Sequence, residues 1–195
     1  MTDVTLGYAY GNGRLSAMTR TANGLGQTYN MAYDGFWKLT SVKVGTRSLA
    51  GYTYAANDGL LTQMTYGNGN TVAYDYDDLE RVKNIYYNNS SSPAYTYTYK
   101  GEGTLGQLTD NTNNRTYAYT YDSLGRLNGL TEQFGGVSVQ TFSASYDTAN
   151  RPTNVTYAVS PSWNGTFGSN RVYTYTYSAS DGSLTSMTGP GASMA

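Results

Sequence analysis

The chain has 195 residues, a formal net charge of −1 and 13% charged residues, with neither cysteine nor histidine. Those absences exclude disulfide scaffolds, Ser-His-Asp triads, cysteine nucleophiles and nearly all zinc or copper sites. The near-neutral charge gives no electrostatic reason to expect nucleic acid or an anionic membrane as partner. There are 22 tyrosines, and Tyr, Thr and Val favour strands, so the composition predicts an ordered all-β protein.

In chain order, period-two segments between turn residues predict sixteen strands: 4–10, 15–21, 27–33, 39–44, 47–54, 61–66, 71–76, 82–87, 93–99, 107–112, 115–121, 127–134, 137–146, 153–159, 171–177 and 183–188. Gly11-Asn12-Gly13, Asn23-Gly24, Gly45-Thr46, Asn113-Asn114 and Gly135-Gly136 supply tight turns, because Asn and Gly tolerate positive φ. Residues 88–92 form a looser polar loop and 160–170 the longest one. No apolar spacing of three and four persists long enough for a helix. No apolar run approaches the roughly 20 residues that span a bilayer.

The fullest unit is YAYTYDSLGRLNGL, 117–130. Tyr117, Tyr119 and Tyr121 share one face of a strand. Asp122 opens a turn, Gly125 accepts a left-handed backbone, and Arg126-Leu127 begins the return strand. The last Tyr before the turn recurs as Tyr10, Tyr33, Tyr54, Tyr76, Tyr99, Tyr121, Tyr146 and Tyr177. Apolar residues follow six and nine positions later, as in Leu39 and Val42, Val82 and Ile85, Leu105 and Leu108, and Leu127 and Leu130. The first copy runs one residue short; the third and eighth run long, with Met64 and Met187 at the second apolar position. Such self-similarity marks a repeat architecture. Leu127 and Leu130 lie an odd number apart. Either both faces are partly covered, or a bulge near Gly129 re-aims one side chain. A single layer of hairpins has no second layer over its apolar face, so it must curl, stack on itself or pack on another chain.

Candidate sites are few. Asp75, Asp77 and Asp78 form the densest carboxylate group, suited to Ca²⁺ or an acid pair if Asp75 and Asp77 share a face. The preferred reading makes Asp77-Asp78 part of the recurrent turn and Asp75 an exposed strand residue. Arg14, Arg81, Arg126 and Arg151 recur just after the turn. They suit a polyanion, but the stronger expectation is that each covers a neighbouring ring or pairs with a turn Asp. Trp37 and Trp163 suit stacking on sugar rings, Trp163 from the long loop, where binding residues tend to sit; the preferred reading is a loop aromatic closing a sheet edge. No nucleophile–base pair can be built, so the chain is expected not to be an enzyme and to need no cofactor.

The segments YDGFWKL (33–39), YDDLERV (76–82), YDSLGRL (121–127) and YDTANRP (146–152) resemble the YD repeats of bacterial RHS proteins, also found in the B and C components of insecticidal Tc toxins and in animal teneurins. The repeat-defining residues are Tyr33, Asp34, Tyr76, Asp77, Tyr121, Asp122, Gly125, Arg126, Leu127, Tyr146 and Asp147. The resemblance implies an antiparallel β-hairpin array curling into a spiral, shell-like sheet, often around a toxic C-terminal cargo. RHS members self-cleave through a core domain with Asp-Pro motifs; no Asp-Pro occurs here, and no catalytic residue carries over. The expectation is one array, 1–195, cut from a larger shell or serving as a subunit of an assembly. Its partners would be further YD repeats of the same or identical chains, with an encapsulated polypeptide or a cell-surface glycan. A secreted or cell-surface bacterial setting follows from the resemblance, with any signal outside this chain. A glycan-binding adhesin module using Trp163, and a self-assembling filament, are the alternative functions.

Overall fold

The computed structural model describes residues 4–160, 170–190 and 192–194. The chain divides into two compact units, Met1–Ala94 and Tyr95–Ala195. The first holds β1 (Val4–Gly11), β2 (Arg14–Ala22), β3 (Leu25–Tyr33), β4 (Leu39–Val44), β5 (Arg47–Tyr54), β6 (Leu61–Tyr66), β7 (Thr71–Tyr76) and β8 (Val82–Tyr87). The second holds β9 (Tyr95–Tyr99), β10 (Leu105–Asp110), β11 (Arg115–Tyr121), β12 (Leu127–Phe134), β13 (Val137–Tyr146), β14 (Pro152–Val159), β15 (Arg171–Tyr177), β16 (Leu184–Gly189) and β17 (Ala192–Met194). The sixteen predicted strands are all present. β17 is an addition, in a tail whose sequence carries no strand pattern.

Within each unit every strand pairs antiparallel with its neighbour in sequence, from β1–β2 through β7–β8 and from β9–β10 through β16–β17. Hairpin connections are too short for any other order. Asn12-Gly13 and Asn23-Gly24 turn with φ of 50° and 77°, and 54° and 75°, as a two-residue hairpin requires.

A bulge follows each repeat's tyrosine. In β11–β12 the register shifts between Thr120 and Tyr121, so Tyr121 opposes Leu127 and Tyr119 opposes Leu130. Asn128 is the extra residue, and it brings the two leucines onto one face. The odd spacing thus reflects a bulge one residue before Gly129. The same shift pairs Tyr33 with Leu39 and Met31 with Val42, Tyr76 with Val82 and Tyr74 with Ile85, and Tyr177 with Leu184 and Tyr175 with Met187. One face therefore collects the tyrosines and aliphatics. The other collects small polar residues such as Thr19 opposite Thr28, whose hydroxyl oxygens lie 2.9 Å apart.

Neither face is dry. Among the described residues the buried apolar side chains are Val72, Ala94 and Val139, and no large side chain is fully buried. From Tyr33 onward the YD tyrosines are half-buried. At the far end of this face in the second unit, Glu132, 7% exposed, accepts hydrogen bonds from Arg115 and from Gln140 Nε2 (2.7 Å). A carboxylate in a half-dry wall needs such partners.

Deleting Asn128 would move Leu130 and everything beyond it in β12 to the opposite face. The expected loss is about 2–5 kcal/mol in chemical denaturation, comparable with emptying a core position. Asn128→Ala, by contrast, removes a buried Oδ1 that has no hydrogen-bond partner, so it should leave stability within roughly 0.5 kcal/mol or raise it.

Candidate functional site

The functional surface is the repeated turn and the tyrosine beside it. In Asp34-Gly35-Phe36-Trp37-Lys38, one Asp34 carboxylate oxygen, Oδ1, accepts the amides of Phe36 and Lys38, both at 2.9 Å. Asp77 does the same for Leu79 and Arg81, Asp122 for Leu124 and Arg126, and Asp147 for Ala149 and Arg151. The Asp amide then donates to the carbonyl four residues on, and the fourth turn residue donates back to the Asp carbonyl. That fourth residue is left-handed: Gly125 at φ 76°, and also Trp37 at 67°, Glu80 at 62° and Asn150 at 65°. The side chain of Asp thus holds a conformation that a non-glycine residue reaches only with strain.

The second carboxylate oxygen serves the arginine. Arg126 Nε and Arg151 Nε lie 2.7 Å from Oδ2 of Asp122 and Asp147, and Arg81 Nε 2.8 Å from Oδ2 of Asp77. Tethered there, the guanidinium reaches into the next repeat. Arg126 donates to the Asp147 carbonyl and to Asn150 Oδ1, and Arg151 to the Gly182 carbonyl at 2.9 Å. Arg126 also lies over the Tyr146 ring, 4.7 Å from its centroid, and Arg151 over Tyr177 at 4.3 Å. Arg14 lies over Tyr33 and Trp37. Pairing with Asp and covering the next ring, set out above as alternatives, are performed by Arg126 and Arg151 at once.

The covered tyrosine completes the unit. Tyr33 donates its hydroxyl to the Leu15 carbonyl at 2.9 Å, Tyr54 to Leu39 at 2.8 Å and Tyr76 to Leu61 at 2.8 Å. Tyr121 donates to Leu105 at 3.1 Å, Tyr146 to Leu127 at 2.7 Å and Tyr177 to Pro152 at 2.9 Å. In each case the acceptor is the first or, for Leu15, the second residue of the return strand of the preceding repeat. Six of the repeat-defining residues, Asp122, Gly125, Arg126, Leu127, Tyr146 and Asp147, thus meet in one chain of contacts.

Some participants have no sequence signature. Lys100, directly after Tyr99, lies 5.3 Å from the Tyr121 ring centroid, a place reached by an unexpected route. Lys38, at 5.3 Å from the Tyr54 ring, stands where Arg stands in YDSLGRL and was legible by alignment of the copies. In the third and eighth repeats Ala55 and Ser178 follow the tyrosine, and the turn aspartates, Asp58 and Asp181, come three residues later, each Oδ1 accepting the amide two residues on. Ala55 and Ser178 instead donate to carbonyls five residues on, with Gly59 and Gly182 at φ 75° and 74°. This longer turn explains their extra residue.

The carboxylate group divides. Asp77 belongs to its turn, while Asp75 is exposed and accepts the Tyr86 hydroxyl at 2.5 Å. Asp58, Asp75, Asp77 and Asp78 line an open cleft of about 530 Å³, but no group of three or more His, Cys, Asp or Glu among the described residues is placed to hold a metal ion. Trp163 lies outside the described residues. Trp37 is 43% exposed, with its ring beneath Arg14.

Hydrogen bonds hold Asp77, Asp122, Asp147 and Asp181 below the ordinary carboxylate range. For Asp77 the Arg81 side chain is the leading cause. For Asp122 the largest influence, desolvation, pushes upward, but the Arg126 and Leu124 bonds together outweigh it. For Asp147 the Arg151 amide leads, and the Ser183 amide and the Ser178 and Ser183 hydroxyls bring Asp181 down to about 2. Burial pushes the phenols of Tyr74, Tyr76 and Tyr119 up.

Two outcomes follow for stability. The depressed acids contribute stability above the unfolded carboxylate pKa of about 3.9, and this is lost as pH falls through the lower folded values. The raised phenols contribute below about pH 10, and this is lost as pH rises through their folded values. Thermal melts should therefore show a plateau between about pH 5 and 9, falling on both sides. Tyr146→Phe should cost about 1 kcal/mol for the lost bond to Leu127. Arg126→Ala combined with Tyr146→Leu should show a coupling of about 0.5–1 kcal/mol in a double-mutant denaturation cycle.

Neither a family model nor a curated protein matches the sequence. Solved structures do match. The TcdB2–TccC3–Cdc42 complex aligns over 93% of this chain with a TM-score of 0.72 and 18% identity. TcdB2–TccC3 without its hypervariable C-terminal region aligns equally well, at 19% identity. The Photorhabdus luminescens Tc holotoxin pore carrying TccC3-D651A aligns over 95% with a TM-score of 0.51 and 13% identity. The chain spans 10% of the TcdB2–TccC3 chains. Its fold is that of a stretch of the Tc-toxin TcdB2–TccC3 assembly, in agreement with the resemblance carried by the YD segments.

Proposed function

We propose that the chain is a stretch of wall in an RHS-type encapsulating shell, its eight repeats forming one array, within a secreted or cell-surface bacterial protein for toxin delivery or cell contact. The proposal gives it no catalytic step. Its partners are further YD repeats and a polypeptide held against the wall.

The observation that carries this reading is the tie between repeats: a tyrosine hydroxyl on the previous repeat's backbone, beneath a cation fixed by that repeat's Asp. A globular domain gains most of its stability from a core between two layers. Here the described residues include no fully buried large side chain, and lateral ties between neighbouring turns take the place of a second layer. A wall one layer thick needs that construction. The half-wet tyrosine face also suits a weakly held polypeptide, since Tyr offers ring area and a hydroxyl without a dry, selective pocket.

The test is a graft. This chain would replace the matching tenth of the TcdB2–TccC3 shell, and protease sensitivity of the hypervariable C-terminal region would be followed. The wall reading expects an assembled chimera in which that region is digested as slowly as in the parent. A chimera that folds and assembles but leaves the region as open to digestion as the region alone overturns it.

A further inference from the structure

β1 breaks the pattern of the other strands. All eight of its residues are exposed. Val4, Leu6, Tyr8 and Tyr10, which share the tyrosine face, are 51%, 53%, 55% and 68% exposed. Their counterparts in the third repeat, Tyr52 and Tyr54, are half-buried, as are Tyr119 and Tyr121 in the sixth. The reason is geometric. Tyr54 is covered by Lys38 and bonded to the Leu39 carbonyl, both from the preceding repeat. Among the described residues Tyr10 has neither a carbonyl for its hydroxyl nor a cation over its ring, and β1 pairs there with β2 alone.

The edge also lacks the usual protection. Sheet edges in natural proteins carry charges, prolines or twisting bulges that discourage further pairing. From Val4 to Gly11 the sequence VTLGYAYG holds no charge and no proline, and its one register shift lies at Ala9/Tyr10; the sixth repeat carries the same bulge at Thr120/Tyr121, and its strand β11 still pairs on both sides.

We propose that the β1 edge is an acceptor site for one kind of partner, the return strand of another YD repeat. The partner brings three features. Its strand pairs with the open backbone groups of β1. The carbonyl of its first strand residue takes the Tyr10 hydroxyl. The cation just before that residue, anchored on the turn Asp, covers the Tyr10 ring. In the sixth repeat those groups are Leu127, Arg126 and Asp122, and in that register Leu6 falls opposite the place of Leu130. This is strand addition with a side-chain lock at one end. It deepens the wall reading by naming the feature through which a further repeat attaches.

The probe is a fluorescent peptide of residues 121–134, YDSLGRLNGLTEQF, added to the full chain and followed by anisotropy. Saturable binding is expected, with none for a scrambled peptide. Tyr10→Phe should weaken it about five-fold, the equivalent of one hydrogen bond, and a peptide with Arg126→Ala should weaken it about two- to five-fold. Leu6→Lys should abolish it, with circular dichroism confirming that the variant stays folded. No binding, or binding indifferent to both Tyr10→Phe and Leu6→Lys, overturns the proposal, as does self-association that blocks the peptide but ignores Tyr10→Phe. Peptide failure with a protective graft retires only the edge; a leaking graft with specific peptide binding retires only the wall.

Discussion

The structure depends on a tyrosine hydroxyl donating to a backbone carbonyl one repeat upstream. That carbonyl sits where the return strand begins, beside the bulge. The bulge disturbs the ladder and makes an acceptor reachable from the neighbouring ring. A single such bond is worth about 0.5–1.5 kcal/mol net, modest alone. Repetition changes its weight, because Tyr33, Tyr54, Tyr76, Tyr121, Tyr146 and Tyr177 all make it. Repeat proteins sum nearest-neighbour terms of this kind.

Around that bond the remaining parts fall into place. The Asp carboxylate has more lone pairs than the turn amides use, so Oδ1 holds the turn while Oδ2 holds the arginine. An arginine fixed at one end loses less freedom on settling over a ring. The turn that reverses the chain therefore also aims the cation that covers the next tyrosine. In the third and eighth turns, which open on Ala55 and Ser178, the turn is one residue longer and glycine takes the left-handed position. The cation is then lost from the turn, while the tyrosine–carbonyl bond before it persists.

The two faces divide the labour. Tyrosines, leucines and methionines gather on one, while threonines, serines and small residues gather on the other. A one-layer sheet of this kind leaves most side chains partly wet, and Tyr tolerates that better than Leu because its polar tip needs water or a partner. The buried Glu132, held by Arg115 and Gln140, shows how a charge is accommodated when the wall does become dry.

The strand pattern, the hairpin turns and the repeat period were legible in the residues, since alternation, Asn-Gly pairs and a recurring Tyr are local signals. So was the pairing of Arg126 with Asp122, four residues apart. The side of the sheet on which Leu130 lies was not: the bulge at Asn128 decides it, and a bulge is a property of two strands rather than one. Nor could any single repeat announce that Arg126 serves Tyr146, twenty residues on, or that Lys100 takes a similar place above Tyr121. Local sequence determined which residues turn and which extend, because those choices rest on backbone preferences of neighbours in the chain. The tertiary structure alone decided which ring meets which cation and which carbonyl, because strand pairing brings those partners together across a distance that no local preference spans.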